Sequence, residues 1–170
     1  MPTMRSTAKL VGGLCLAIGL LAASPSRAQT PDSVSAAKAL SSTLWLTTKV
    51  YLEGAPEQDV QADYMGVVGL SRWDSARNRY EFFDPATGAS RLKAGGGGYF
   101  FITGDGKHHV LVPDAGAVRV LPRRLEKLTT AEFTYSREVP RNMVQGNPPV
   151  RIYVVHTPYT GPFNPPLSQP

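Results

Sequence analysis

From Thr43 onward, short runs of aromatic and β-branched residues alternate with clusters of Gly, Pro, Asn and Asp. That is the pattern of strands joined by tight turns. The runs are Leu44 to Leu52, Tyr64 to Trp73, Arg79 to Phe83, Tyr99 to Thr103, His108 to Val112, Ala117 to Leu121, Glu132 to Val139 and Val150 to His156, with Ser90 to Lys93 as a further short piece. Gly104-Asp105-Gly106-Lys107 separates two of them, and Asp-Gly between apolar runs is a hairpin signal. Pro122 predicts a bend or a sheet edge, because proline cannot donate to a ladder. Within Glu132 to Val139, Phe133, Tyr135 and Arg137 share one face and Glu132, Thr134 and Ser136 the other. No long stretch after Thr43 has helical periodicity. The expected fold class is all-β: an antiparallel meander of about eight strands that hides its edges by closing into a small barrel. An open sandwich of the same strands is the competing architecture. About eight strands enclose an interior that side chains fill, or that holds one small ligand.

The chain ends read differently. Residues 1–28 have the layout of a secretory signal peptide: Arg5 and Lys9 ahead of an apolar stretch, Leu10 to Ala23, then Ser26-Arg27-Ala28 with small residues at the cleavage positions. The apolar stretch is shorter than the roughly 20 residues that span a bilayer. Cys15 lies inside it after Leu14, so a lipid-modified cysteine is not expected, and the mature chain has no cysteine. The expected location is periplasmic or secreted, without a membrane anchor after cleavage. Residues 29–42 are small and polar and read as a flexible lead-in, with a short helical turn over Ala36 to Leu40. The barrel domain is expected at 43–159. Residues 160–170 form a Pro-rich tail, expected to be disordered or extended.

Charge changes the picture only slightly. Removing Arg5, Lys9 and Arg27 with the leader leaves 15 of the 18 basic residues against 13 acidic ones, which carries no footprint for nucleic acid or an acidic surface. The local cluster Arg119, Arg123, Arg124 and Lys127 reads as a solvated strand edge.

Trp45-Leu46-Thr47-Thr48-Lys49-Val50-Tyr51-Leu52-Glu53, Val67-Val68-Gly69, Phe82-Phe83-Asp84-Pro85-Ala86-Thr87-Gly88 and Phe100-Phe101-Ile102-Thr103-Gly104-Asp105-Gly106-Lys107 carry a resemblance. They resemble a family of small secreted bacterial proteins known only as a domain of unknown function. The likeness covers Thr43 to Tyr159. It implies a fold similar to the lipocalin and fatty-acid-binding (calycin) barrels and brings no catalytic residues. Trp45 matches the early tryptophan of lipocalins, with Arg137 or Arg151 implied as a cationic partner. Ser42-Thr43-Leu44 replaces the usual glycine before that tryptophan, and the lipocalin disulfide is impossible in the mature chain.

Candidate chemistry is sparse. His108 and His109 are adjacent and point to opposite faces of a strand, and His156 lies on another run, so no metal-ligand spacing emerges. There is no nucleophile elbow, and Glu57 and Asp59 sit in a turn. Gly95 to Gly98 precedes a strand, not a helix, and reads as a loop or bulge, with a lid at the barrel rim as a further reading. No metal, cofactor or catalytic residue is expected. Aromatic residues at alternating positions lead to a ligand-binding set of Trp45, Lys49, Tyr51, Phe101, Tyr135 and Arg137. Lys49 or Arg137 is expected to orient a polar group of a small, largely apolar or aromatic ligand. The alternatives are a filled-barrel interaction module and a barrel enzyme of isomerase or cyclase type, with His109 or His156 and a nearby tyrosine as its only nominees.

Overall fold

In the computed structural model, which describes residues 32–116 and 119–168, eight antiparallel strands close into one barrel. They are β1 (Trp45–Leu52), β2 (Leu70–Asp74), β3 (Arg79–Phe83), β4 (Gly97–Ile102), β5 (His108–Pro113), β6 (Leu121–Leu128), β7 (Phe133–Pro140) and β8 (Pro149–Pro158). Each pairs with its chain neighbour, and β8 closes the ring on β1. The expected signal peptide at residues 1–28, with Cys15, lies outside the described residues.

Strand pleat decides what fills the barrel. Alternate residues point inward, and the inward set is Trp45 and Val50 of β1, Trp73 of β2, Tyr80 of β3, Phe100 of β4, Leu111 of β5, Phe133, Tyr135 and Val139 of β7, and Ile152 and Val154 of β8, all buried in one core. Ring pairs run through its centre. Phe133 meets Trp45 edge-on at 5.9 Å and Trp73 at 6.1 Å, and Trp73 meets Phe100 at 5.1 Å. Such geometries favour the positive edge of one ring against the negative face of another.

Two strands break the alternation. In β1 the register against β8 shifts between Thr47 and Lys49, a bulge at Thr48. An extra residue in one strand flips the faces beyond it. Trp45 and Thr47 therefore point inward, but after the bulge Val50 takes the inward place and Lys49 and Tyr51 turn outward. Unbroken alternation from Trp45 would put Lys49 and Tyr51 on its face, as their place in the expected ligand-binding set requires; the bulge overturns that. In β6 a similar shift falls between Leu125 and Lys127.

Other boundaries also differ from expectation. Only Leu70–Asp74 of the second run is strand; Gln61–Val67 is a 3₁₀ stretch around the buried Tyr64. Ser90 makes an isolated bridge to Phe83, and Leu92–Ala94 is a 3₁₀ turn. The sixth strand runs from Leu121 to Leu128 with Pro122 inside it, opposite Val110. Gly97 and Gly98 are not a lid: they open β4, and a Cβ on Gly98 would drive into the Val112 carbonyl of β5.

Both ends of the described segment dock on the barrel. Helix α1 (Ser33–Leu40) starts at Asp32, whose carboxylate accepts from the Ser35 amide at 2.8 Å. It buries Ala36 and Leu40 and closes the barrel end from which β1 starts. The Trp45 indole N–H donates to the Leu40 carbonyl at 2.8 Å, tying helix to core. At the other terminus, 160–168 makes no strand, yet it is anchored. Phe163 lies against Gly88, Asn164 accepts from Arg72, and Ser168 donates from its amide (2.6 Å) and hydroxyl (2.8 Å) to Glu81. Glu81, Leu70 and Phe83 point outward but are buried under this segment and the β3–β4 connection. Deleting residues 160–170 is expected to destabilise the domain by about 1–3 kcal/mol, because the Ser168 hydrogen bonds to the Glu81 carboxylate and the packing of Phe163 on Gly88 are lost. An unchanged urea midpoint would contradict that assignment.

Candidate functional site

β2 is too short to pair with all of β1. Only Trp45↔Ser71 and Leu46↔Leu70 are in register. Beyond them the free edge of β1 is covered by the preceding loop: the Val60 amide donates to Val50 O (2.8 Å), the Thr47 amide to Gly69 O (2.9 Å), and the Thr47 hydroxyl to Val67 O (3.2 Å). A cavity of about 30 Å³ lies behind this seam. It is lined by Thr47, Gly66 to Ser71, Trp73, Phe82, Arg91, Arg123, Phe133, Tyr135 and His156. That volume holds one or two waters, not an organic molecule of ordinary size.

Arg123 is the residue that sequence reasoning misplaced. It does not belong to a solvated edge: it points inward from β6 and is 6% exposed, whereas Arg124 and Lys127 on the same stretch are exposed. Its guanidinium stacks on the Tyr135 ring at 4.4 Å and lies 5.7 Å from the Phe82 ring. Its Nε has no hydrogen-bond partner, and no ion pair among the described residues includes it. Burial, with the repulsion of nearby Arg137, lowers its pKa to about 10. The signal was present: Arg123 stands two residues from Leu121 and two from Leu125, so it occupies a core position of a period-two pattern.

Two histidines share the interior. His109 of β5 is fully buried with neither ring nitrogen bonded, at 5.5 Å from Trp73, 5.4 Å from Phe133 and 5.3 Å from Tyr135. Burial first, then repulsion from Arg123, holds its pKa well below the ordinary value. His156 of β8 stacks on Phe133 at 4.6 Å and lies 3.0 Å through Nδ1 from the Phe133 carbonyl, which accepts if that nitrogen carries the proton. Burial pushes its pKa down to about 3, and the Phe133 carbonyl opposes the shift only in part. Both rings are therefore neutral at neutral pH. Among the described residues, no cluster of three His, Cys, Asp or Glu is placed to hold a metal. Of the cavity's polar groups, Ser71 accepts the Trp73 indole N–H at 3.1 Å, and Arg91 donates to Val68 O at 2.8 Å and faces Asp84 at 3.5 Å.

The structure brings together half of the ligand-binding set. Trp45 and Tyr135 are buried beside Phe133, and Arg137 sits at an inward position opposite Ile152, half-buried with its Nε unpartnered. The other three face out. Tyr51 stacks on Tyr153 at 4.9 Å on the outer surface, with Lys49 5.9 Å above its ring. Phe101 is half exposed, because the pleat of β4 places Phe100 inward. The cationic partner implied for Trp45 is not found: Arg151 pairs outside with Glu138 (3.0 Å) and Glu53 (3.8 Å), and Trp45 meets Phe133 and the Leu40 carbonyl instead.

Residues 37–167 match the model of a family described as "Domain of unknown function (DUF4822)". No curated protein matches the chain. The chain belongs to that family.

Proposed function

We propose, starting from membership of the DUF4822 family, that the chain is an exported small-molecule-binding barrel. Its ligand would lie between Trp73, Phe82, Phe133 and Tyr135, behind the seam between β1 and β2. The observation that carries the reading is the unpartnered polar group inside an aromatic shell. Arg123 Nε and both nitrogens of His109 are buried without hydrogen bonds. A barrel packed only for stability gains nothing from them, since a buried polar group without a partner costs about 1–3 kcal/mol and apolar replacements remove that cost. Arg123 lines the cavity, so a molecule bound there supplies its missing partner, whereas His109 lies outside the lining. Export rests on the charged, apolar and small-residue segments of residues 1–28, and a calycin-like kinship on the eight-stranded meander that closes first strand on last.

For a ligand larger than a few atoms the loop from Gln61 to Gly69 must move outward. Only two register pairs join β1 to β2, so this is the seam that opens with the fewest ladder bonds broken. A thermal-shift screen of neutral aromatics, lipids and tetrapyrroles tests the reading. A binder at a hundredfold excess over its dissociation constant stabilises by about 2.7 kcal/mol, a shift of several degrees. No shift with any probe, neutral or charged, would overturn it. The second reading, a filled barrel that serves as an interaction module, is favoured by one observation: the cavity volume of about 30 Å³.

A further inference from the structure

We infer that the ligand carries an anionic group, a carboxylate, and that Arg123 is the residue that holds it. This rests on the binding reading above and specifies its chemistry. Every inward-facing side chain of the described strands that can carry a full charge at neutral pH is basic. Arg123 and Arg137 come from β6 and β7, and no carboxylate occupies an inward position. Among the described residues the one buried carboxylate, Glu81, points outward and is taken up by Ser90 and Ser168. A buried cation without a counter-ion is costly in a low-dielectric interior and is normally paired. Among the described residues no such partner faces Arg123.

The geometry of Arg123 also favours a planar anion. Its guanidinium face is covered by Tyr135, which leaves the edge as the donor surface, and that edge matches a carboxylate in two parallel bonds. Arg91 reaches the same cavity but is already bonded to Val68 O and Asp84, so it does not compete. The cavity of about 30 Å³ is of the scale of the carboxylate itself, and the body of the ligand would take the space now filled by Val67 and Val68.

Both tryptophans of the chain lie in the core, and Trp73 lines the cavity, so intrinsic fluorescence reads occupancy. The test titrates the full mature chain with benzoate, benzamide and benzyl alcohol, three probes with one body and different heads. The expected result is that benzoate binds at least tenfold more tightly than either neutral probe, that added chloride weakens it, and that R123Q abolishes the preference. Should R123Q fail to fold, the comparison of heads in the wild-type chain decides alone. Neutral probes that bind as well as benzoate, or a neutral hit from the broader screen with no response to benzoate, overturn the anion inference and leave the binding reading standing. Failure of both sets overturns both.

Discussion

Lowering the pH from 6.5 to about 4.5 is expected to remove several kcal/mol of stability, before most carboxylates titrate. His109 and His156 are buried and neutral, the first with its pKa well below the ordinary value and the second at about 3. In the unfolded chain both take up protons near pH 6.5. Because the folded values are depressed, their stability is complete above that pH and is lost as the pH falls toward the folded values. Each group contributes a slope of about 1.4 kcal/mol per pH unit, so the two together give up to about 2.8. Two units then remove about 3–6 kcal/mol, comparable with the whole stability of a small domain. Asp84 and Asp105, held below their ordinary pKa by turn hydrogen bonds, act only at lower pH and do not blur this window. Urea titrations at half-unit steps measure the slope. H109F keeps a ring in place and discards two unpartnered nitrogens, so it is expected to fold at least as well at pH 7 and to halve the slope. A flat profile between pH 6.5 and 4.5 would contradict the buried placement of both rings.

W45A is expected to cost about 3–5 kcal/mol, the range for removing a large buried aromatic. Two losses combine: the ring is fully buried against Phe133, and its N–H is the bond that holds α1 through Leu40. W45F separates them. It keeps much of the packing and loses the bond, so a cost of about 1–2 kcal/mol is expected, with faster amide exchange confined to Ser33–Leu40. If W45A unfolds at the wild-type denaturant concentration, the helix-capped core is wrongly described.

The barrel was legible because its signals are local and repeated. Period-two alternation and turn residues recur along the chain, and a meander joins neighbours in order. Phase was harder to read than existence. In Tyr99-Phe100-Phe101 all three residues suit either face, and only the tertiary contact of Gly98 with β5 settles which one turns in. The bulge at Thr48 has no compositional mark, so simple alternation places Lys49 and Tyr51 on the wrong side of β1. Arg123 was hidden by its basic neighbours, which mask a core position within a stretch that looks solvated. The two ends of the domain, α1 and 160–168, are ordered by docking, and docking leaves no periodic trace in short polar or Pro-rich segments.

Native mass spectrometry of the protein purified from its own host tests the central claim, that the positive aromatic interior is a ligand site. The account predicts a folded species heavier than the polypeptide by one small acid, released on unfolding and lost from R123Q. A bare polypeptide mass that takes up neither acids nor neutral molecules would contradict it and leave a barrel plugged by its own side chains.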